Sequence, residues 1–251
     1  MLFIISGINN IIIFKNLLGG LTMLYNLLNG TLSVESAIMQ ILAVSIIVFL
    51  VMPLHEFSHG FIAYKLGDNT AKNMGRLRFS PTAHIDPVGA LMILLVGFGW
   101  AKPVPVNPRN FKNPKVGMAI TALAGPVSNI LAAIVGAILF YVNLSLALKG
   151  IMPSFVYNLL MYFLSYFISI NISLAVFNMV PLPPLDGSKI LFAFLPDKVV
   201  YKIYQYERQL NFILIILIAA GALTGPLSAV QNVLSEFIMS IVAIPFTPFL
   251  Y

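Results

Sequence analysis

Residues 38–59 read IMQILAVSIIVFLVMPLHEFSH, an apolar run that ends in two histidines and a glutamate. Ile38 to Leu54 contains no charged residue and is hydrophobic enough for a bilayer-spanning helix. His55 and His59 are four residues apart, so one helix face can direct both imidazoles at one metal ion. Glu56 can then act as general base on a metal-bound water. Histidines at this spacing also occur by chance, but ionisable groups at membrane depth are costly, which favours a functional site.

The composition is that of an integral membrane protein. Of the 251 residues, 59% are hydrophobic and only 9% are charged, whereas an average soluble domain is about 25% charged. The chain has no cysteine, which excludes disulfides and thiolate metal sites. A metal ion must therefore take its ligands from histidine, aspartate and glutamate.

The distribution of apolar residues predicts an all-α polytopic membrane protein with about six transmembrane helices. The first and last segments are the least regular, because Asn9, Asn10 and Lys15 interrupt the first one. A single integral membrane domain over residues 1–251 is predicted, with its core at about residues 37–190. The segments lie at residues 1–29, 37–63, 117–142, 155–180, 210–223 and 227–245.

A further apolar segment, residues 88–99, is too short to cross a bilayer. As a helix its 12 residues would measure about 18 Å. It contains three glycines and is followed by Ala101-Lys-Pro-Val-Pro-Val-Asn107, which indicates extended backbone. Residues 84–107 are therefore predicted to form a re-entrant, β-like hairpin next to the active site, where protein or water covers its polar groups. His84 and Asp86 are predicted to be structural within it.

The basic residues predict the orientation of the chain. Eight of the 14 lysines and arginines lie between Lys65 and Lys115, and four lie between Lys189 and Arg208. The positive-inside rule places both loops in the cytoplasm, with His55 and His59 at the cytoplasmic end of their helix. The same residues would contact lipid headgroups of the bilayer. The net charge of +6 does not indicate nucleic-acid binding, because no basic helix or aromatic platform accompanies it.

A third metal ligand is expected at Asp186. It ends the stretch Asn178-Met-Val-Pro-Leu-Pro-Pro-Leu-Asp186, whose three prolines stop the preceding helix. Gly187 then permits a turn, so the carboxylate can project sideways from the end of a spanning helix. Two histidines and one carboxylate leave the fourth zinc position open for water. The same stretch is also compatible with an ordinary helix-ending turn.

These motifs together resemble the site-2 protease family, the zinc-dependent intramembrane metalloproteases. The family pattern of HExxH and N-x-x-P-x-P-x-x-D-G is complete here, at His55–His59 and Asn178–Gly187. A third feature, G-P-x-x-N, stands at Gly125–Asn129, and the residue 84–110 region resembles the compact prokaryotic branch. The resemblance covers roughly residues 45–190. No PDZ-like insertion is found within the sequence, so regulation by such a module is not expected.

The resemblance implies roles for individual residues. His55, His59 and Asp186 would bind one Zn²⁺ per chain, and Glu56 would activate water. Asn178 would support the substrate or the oxyanion, although it could equally cap an unwound helix end. Asn129 is the family position in the middle helix, where interhelical hydrogen bonding is favoured over substrate contact. Substrate contacts are also expected from the extended segment that includes Gly99, Trp100, Lys102 and Val104.

That extended segment has two interpretations. Phe98–Val106 can pair with an unwound substrate by edge addition, or it can be a hydrophobic plug. Edge addition is slightly favoured because peptide hydrolysis requires an unwound strand. The predicted function is hydrolysis of peptide bonds within or near transmembrane segments of membrane-protein substrates. The alternatives are a zinc or cation transporter, and a non-catalytic relative that binds transmembrane helices.

Overall fold

The computed structural model describes residues 26–78, 80–96 and 100–250, and the elements below lie within those ranges. The part of the chain that it describes is mostly helical. The helices are α1 (Val34–Ile46), α2 (Met52–Lys65), α3 (Thr70–Asn73), α4 (Pro81–His84), α5 (Pro87–Val96), α6 (Pro114–Leu148), α7 (Ser154–Asn178), α8 (Asp186–Phe192), α9 (Asp197–Gln205), α10 (Glu207–Ala219), α11 (Thr224–Ala243) and α12 (Thr247–Leu250).

Within the residues that the structure describes, four helical stretches are long and apolar enough to cross a membrane. Two of the six predicted segments are not confirmed as spans. Residues 1–25 of the first segment lie outside the described residues. α10 has 13 residues, about 20 Å of helix, and Gly221 follows it at φ +69°. The four candidate spans are Val34–Lys65, Pro114–Leu148, Ser154–Asn178 and Thr224–Phe246.

The first candidate span contains a π-helical turn just before the HExxH residues. α1 begins after Ser33, whose side chain accepts the N–H of Ser36, and it runs into π-helix at Ile47–Val51. Pro53, near the start of α2, has no N–H to give to the preceding turn, and its ring would crowd the carbonyl there. The wider π-turn accommodates the proline without ending the helix. Both histidines therefore lie on one continuous candidate span.

α6 is the central helix of the bundle. It contacts α2, α7, α8 and α11. The face that it turns to α7 and α11 includes the small residues Ala133, Gly136 and Ala137, which are buried and allow close helix approach. A Cβ on Gly136 would lie 2.9 Å from the Ile168 side chain of α7. This close packing fixes the register of α6, and α6 in turn backs the histidines of α2.

The connection between α7 and α8 brings Asp186 back to the bundle. The proline-rich residues 179–185 are non-helical, as the prolines predict. A Cβ at Gly187 would lie 2.2 Å from the carbonyl oxygen of Met179, so only glycine fits where α8 folds back on the end of α7. The side chain of Asp186 is thus buried at the first position of α8.

The predicted re-entrant β-like hairpin is not confirmed. Ile85 and Ala101 form an antiparallel bridge, and the N–H of Lys102 donates to the carbonyl of His84 at 2.8 Å. Between these arms the chain forms α5 rather than a strand, and residues 97–99 lie outside the described ones. Asp86 explains the helix, because its carboxylate accepts the N–H groups of Val88 and Gly89 and so caps a helix that starts with proline.

Asp68 ties the loop after α2 to the extended residues 101–107. Its side chain is fully buried, and its carboxylate accepts the backbone N–H of Asn107 and the side-chain N–H of Asn110, both at 2.7 Å. It also accepts the backbone and hydroxyl donors of Thr70. Burial of the carboxyl opposes ionisation, but the hydrogen bonds from Thr70, Asn110 and Asn107 outweigh it and hold the pKa of Asp68 below its usual range.

We expect Asp68→Ala to lower the free energy of unfolding by about 2–4 kcal/mol at neutral pH, because several buried donors lose their acceptor. A carboxyl whose pKa is lower in the folded state stabilises the fold above about pH 4, and this contribution is lost as the pH falls through the folded-state pKa. Denaturation in detergent at several pH values measures the effect. Asp197→Ala, at a side chain that is 89% exposed, is the matched control, and equal losses in both variants would refute this role.

Candidate metal centre

Three buried side chains from two distant segments converge on one point. Nε2 of His55 lies 3.0 Å from Nε2 of His59, and the two nitrogens lie 3.3 Å and 3.1 Å from Oδ2 of Asp186. Ligands about 2.0–2.1 Å from a tetrahedral zinc ion are about 3.3 Å apart, so these separations fit such an ion. These three residues form the one group of potential metal ligands of this kind in the described ranges.

α6 orients both histidines from behind. Nδ1 of His55 lies 2.5 Å from Oδ1 of Asn129, and Nδ1 of His59 lies 2.7 Å from the carbonyl oxygen of Thr121. Both oxygens can only accept a hydrogen bond, so each Nδ1 carries the proton. Each Nε2 then keeps its lone pair for a metal ion, the arrangement that outer partners of metal-binding histidines commonly impose.

Asn129 is itself held by α7. Its Nδ2 lies 3.4 Å from Oδ1 of Asn171, whose own Nδ2 donates to the carbonyl of Phe167 at 2.8 Å. Asn129 and Asn171 are both fully buried. The sequence predicts Asn129 as an interhelical hydrogen-bonding residue and as a substrate contact. In the structure it lies behind His55, with no surface that a substrate could reach.

We expect Asn129→Leu to weaken zinc binding by about 10- to 100-fold, because His55 loses the acceptor that fixes its tautomer. Competition with a zinc chelator measures the affinity in the purified protein. Asn143→Leu changes another buried asparagine of α6, one that donates to Tyr157 rather than to a histidine. It should leave zinc affinity unchanged. Equal weakening in the two variants would mean that α6 supports the site only through its general packing.

Gly125 leaves room for the two imidazoles. It lies on α6 between Thr121 and Asn129, and a Cβ there would be 2.4 Å from Nε2 of both His55 and His59. This separation is well below van der Waals contact. The glycine of the G-P-x-x-N motif is therefore a requirement of the metal centre itself.

We expect Gly125→Ala to weaken zinc binding at least 10-fold, although alanine favours a helix over glycine by about 1 kcal/mol. The added methyl group must push one ring away from the metal position. Gly225→Ala in α11 meets open space and serves as the control. Zinc content and thermal stability should be measured on both. Normal zinc content in Gly125→Ala would contradict the close approach of α6 to the rings.

Asp186 is held as a carboxylate. Its second oxygen, Oδ1, accepts a hydrogen bond from Nζ of Lys189 at 3.1 Å. Burial disfavours the charged form of the carboxyl, but the positive charge of Lys189 at this distance favours it. The lysine leaves Oδ2 directed at the histidines. Lys189 was not recognised from the sequence, where its only signal was a basic residue one helical turn after Asp186.

The other predicted site residues lie on α2, in the extended segment after α5 and at the end of α7. Oε2 of Glu56 accepts the backbone N–H of Val104 at 3.0 Å, which places the extended segment against α2. Trp100 is 47% exposed, and the carbonyl of Lys102 accepts a hydrogen bond from Arg76 at 2.8 Å. Gly99 lies outside the described residues. Asn178 donates to the carbonyl of Leu174 in its own helix at 3.0 Å, so its predicted role toward substrate stays a prediction.

Comparison with known proteins agrees with the geometry. The family model described as "Peptidase family M50" matches residues 41–223. Over 171 residues the chain is 41% identical to "Putative zinc metalloprotease YwhC" of Bacillus subtilis (strain 168), covering 68% of this chain and 76% of that protein. It is 25% identical over 142 residues to "Putative zinc metalloprotease Rip2" of Mycolicibacterium smegmatis (strain ATCC 700084 / mc(2)155), covering 53% and 50%. No solved structure matches.

Proposed function

This chain belongs to peptidase family M50 and is a zinc metalloprotease, and from that premise we propose that it cuts peptide bonds within or near transmembrane segments of membrane-protein substrates. One observation carries the proposal. Two of the three metal ligands lie on the candidate span Val34–Lys65 and are buried against a second candidate span, Pro114–Leu148. A peptide bond that reaches this centre must itself lie at or near the membrane.

Different residues of the chain would bind the metal ion, transfer the proton and position the base. A zinc ion held by His55, His59 and Asp186 would act as a Lewis acid that brings the pKa of water at its open position to about 7. Glu56 accepts a proton from the attacking water and returns it to the leaving amine nitrogen. The hydrogen bond from Val104 fixes one carboxylate oxygen of Glu56, so the other is the one that handles the proton.

The substrate must unwind before it can be cut. A transmembrane helix satisfies its own backbone hydrogen bonds and shields its carbonyl groups, so substrates should carry glycine, proline or asparagine near the cut. The extended segment Ala101–Asn107 is the proposed docking edge for the unwound strand. Arg76 binds its carbonyls at residues 102 and 103, and Asp68 binds its N–H at residue 107. A segment held in this way can offer its remaining backbone groups, including those of Val106.

The proposed setting is a prokaryotic plasma membrane with the active site near the cytoplasmic face. The two basic loops support this orientation, because they flank the spans at the end that carries the metal centre. We further propose that residues 1–30 and α10 are embedded in the membrane. α10 supports this with exposed apolar side chains at Phe212, Ile213, Ile215 and Ile216.

Cleavage in liposomes tests the proposal. The purified protein is reconstituted with a single-span substrate that has Gly and Pro near the membrane surface, and product masses locate the cut. We expect a cut within or next to the span, loss of cleavage with a chelator, and recovery with zinc. A matched substrate with leucine at the Gly and Pro positions should be cut more slowly. Cleavage confined to soluble regions of substrates would overturn the membrane assignment while leaving the protease intact.

A further inference from the structure

α9 (Asp197–Gln205) is a short amphipathic helix at the metal-centre end of the bundle. Its nine residues make about 14 Å of helix, too short to span a bilayer. Nζ of Lys115, the second residue of α6, lies 2.7 Å from Oδ1 of Asp197 and donates to the carbonyl of Leu195 at 2.6 Å. The start of α9 is therefore fixed at the level where a candidate span begins.

The described part of the chain leaves the apolar face of α9 largely uncovered. Val199 is 42% exposed and Tyr204 is 50% exposed, and Val200 and Ile203 on the same face are only partly buried. Phe194, in the turn before the helix, is 81% exposed. The ring centroid of Tyr204 lies 5.2 Å from that of Phe192, a contact that anchors the helix and covers one end of this face. An apolar surface of this kind at a span end requires a partner.

The opposite face of α9 is cationic. Lys198 and Lys202 are exposed one turn apart, and Arg208 is exposed just after the helix. The acidic residue of the helix, Asp197, is already paired with Lys115. Lysines opposite an apolar face, together with the tyrosines 201, 204 and 206, are the composition of helices that lie in a membrane interface and contact anionic headgroups.

We propose that α9 lies in the plane of the bilayer surface and binds anionic phospholipids. Val199, Val200, Ile203 and Tyr204 face the acyl chains, and the basic residues of the polar face bind headgroup phosphates. This interaction depends on the membrane setting but not on peptide hydrolysis. Because four residues join α9 to α8, the helix also sets the depth of the segment that begins with Asp186.

Site-directed spin labelling tests the placement, since the chain has no cysteine of its own. Single cysteines are introduced along residues 197–205 in liposomes of phosphatidylcholine and phosphatidylglycerol. We expect labels at Val199→Cys and Ile203→Cys to be more accessible to oxygen than to a water-soluble nickel complex, and Lys198→Cys and Lys202→Cys to show the reverse. Equal access to nickel at all positions would place the helix in solution. Shielding of the apolar face from both reagents would mean that protein, such as a second copy, covers it; either result overturns the proposal.

A second measurement tests the preference for anionic lipid. A fluorescent label at Val199→Cys should be quenched at least about two-fold more by brominated phosphatidylglycerol than by brominated phosphatidylcholine. The double substitution Lys198→Gln, Lys202→Gln should abolish this preference. Lys149→Gln, at the far end of α6, should not change it. If the two brominated lipids quench the label equally in the protein that keeps both lysines, anionic lipid does not bind here, whatever the result of the protease assay.

Discussion

Glu56→Gln is expected to lower the rate of peptide-bond cleavage on the order of 10²- to 10⁴-fold while the protein keeps its zinc. Glutamine has nearly the volume of glutamate and can still accept the N–H of Val104 through its amide oxygen. It cannot take a proton from water. The metal ligands His55 and His59 are unchanged, so zinc content and thermal stability should match those of the original protein.

Glu35→Gln is the control for this substitution, because Glu35 is an exposed residue at the other end of the same candidate span. Its cleavage rate should be unchanged. The comparison also separates the alternative functions. Transport of zinc or binding of a transmembrane helix would survive Glu56→Gln, whereas proteolysis would not. Cleavage by Glu56→Gln at the original rate would remove Glu56 from the mechanism and leave the water without an identified base.

The convergence of the three candidate metal ligands could be predicted because its signals are local. The four-residue spacing of His55 and His59 fixes a shared helix face, whatever the rest of the chain does. Asp186 could be anticipated because prolines end the preceding helix and Gly187 allows the chain to fold back. Both features survive in the structure, where the three ligand atoms lie 3.0–3.3 Å apart.

The residues that support the ligands could not be assigned in the same way. The contact of His55 with Asn129, and that of Asn129 with Asn171, depends on how α6 packs between α2 and α7. Sequence spacing within one helix does not give the register between two helices. A signal for Asn171 was nevertheless present, because a buried amide in an apolar spanning helix is costly unless another polar group meets it.

Residues 84–107, within the first basic loop, show a different limit. Their glycines favoured a β-like hairpin, but Asp86 and Pro87 form a helix start, and α5 follows. Asp86 followed by Pro87 is a recognisable helix start in the sequence, and its effect on the backbone outweighed that of the glycines. The described residues contain one isolated bridge, between Ile85 and Ala101, and the predicted hairpin is not confirmed. Glycine content alone was thus a poor guide to secondary structure here.

Asp186→Ala should remove both zinc and activity. It deletes one of three ligands, so its effect on zinc affinity should exceed the roughly 10- to 100-fold loss expected for an outer partner such as Asn129. It also leaves the ammonium of Lys189 beside the histidines without its carboxylate partner, which further disfavours a cation there. Metal analysis after dialysis against a weak chelator should show much less than one zinc per chain, with no detectable cleavage.

The control and the contrast with Glu56→Gln make this result decisive. Glu236→Ala, which changes an exposed carboxylate of α11, should keep zinc and activity. If Asp186→Ala loses the metal ion while Glu56→Gln keeps it, the third metal ligand and the general base are separate residues, as the geometry requires. If Asp186→Ala kept its zinc and its activity, α8 would not supply a ligand to the metal ion that the α2 histidines bind. The third ligand would then have to come from His84 or Asp86, although His84 is fully buried against the carbonyl of Arg78 and Asp86 caps α5. Either residue would have to leave these hydrogen bonds, so the contacts already made in the structure favour Asp186.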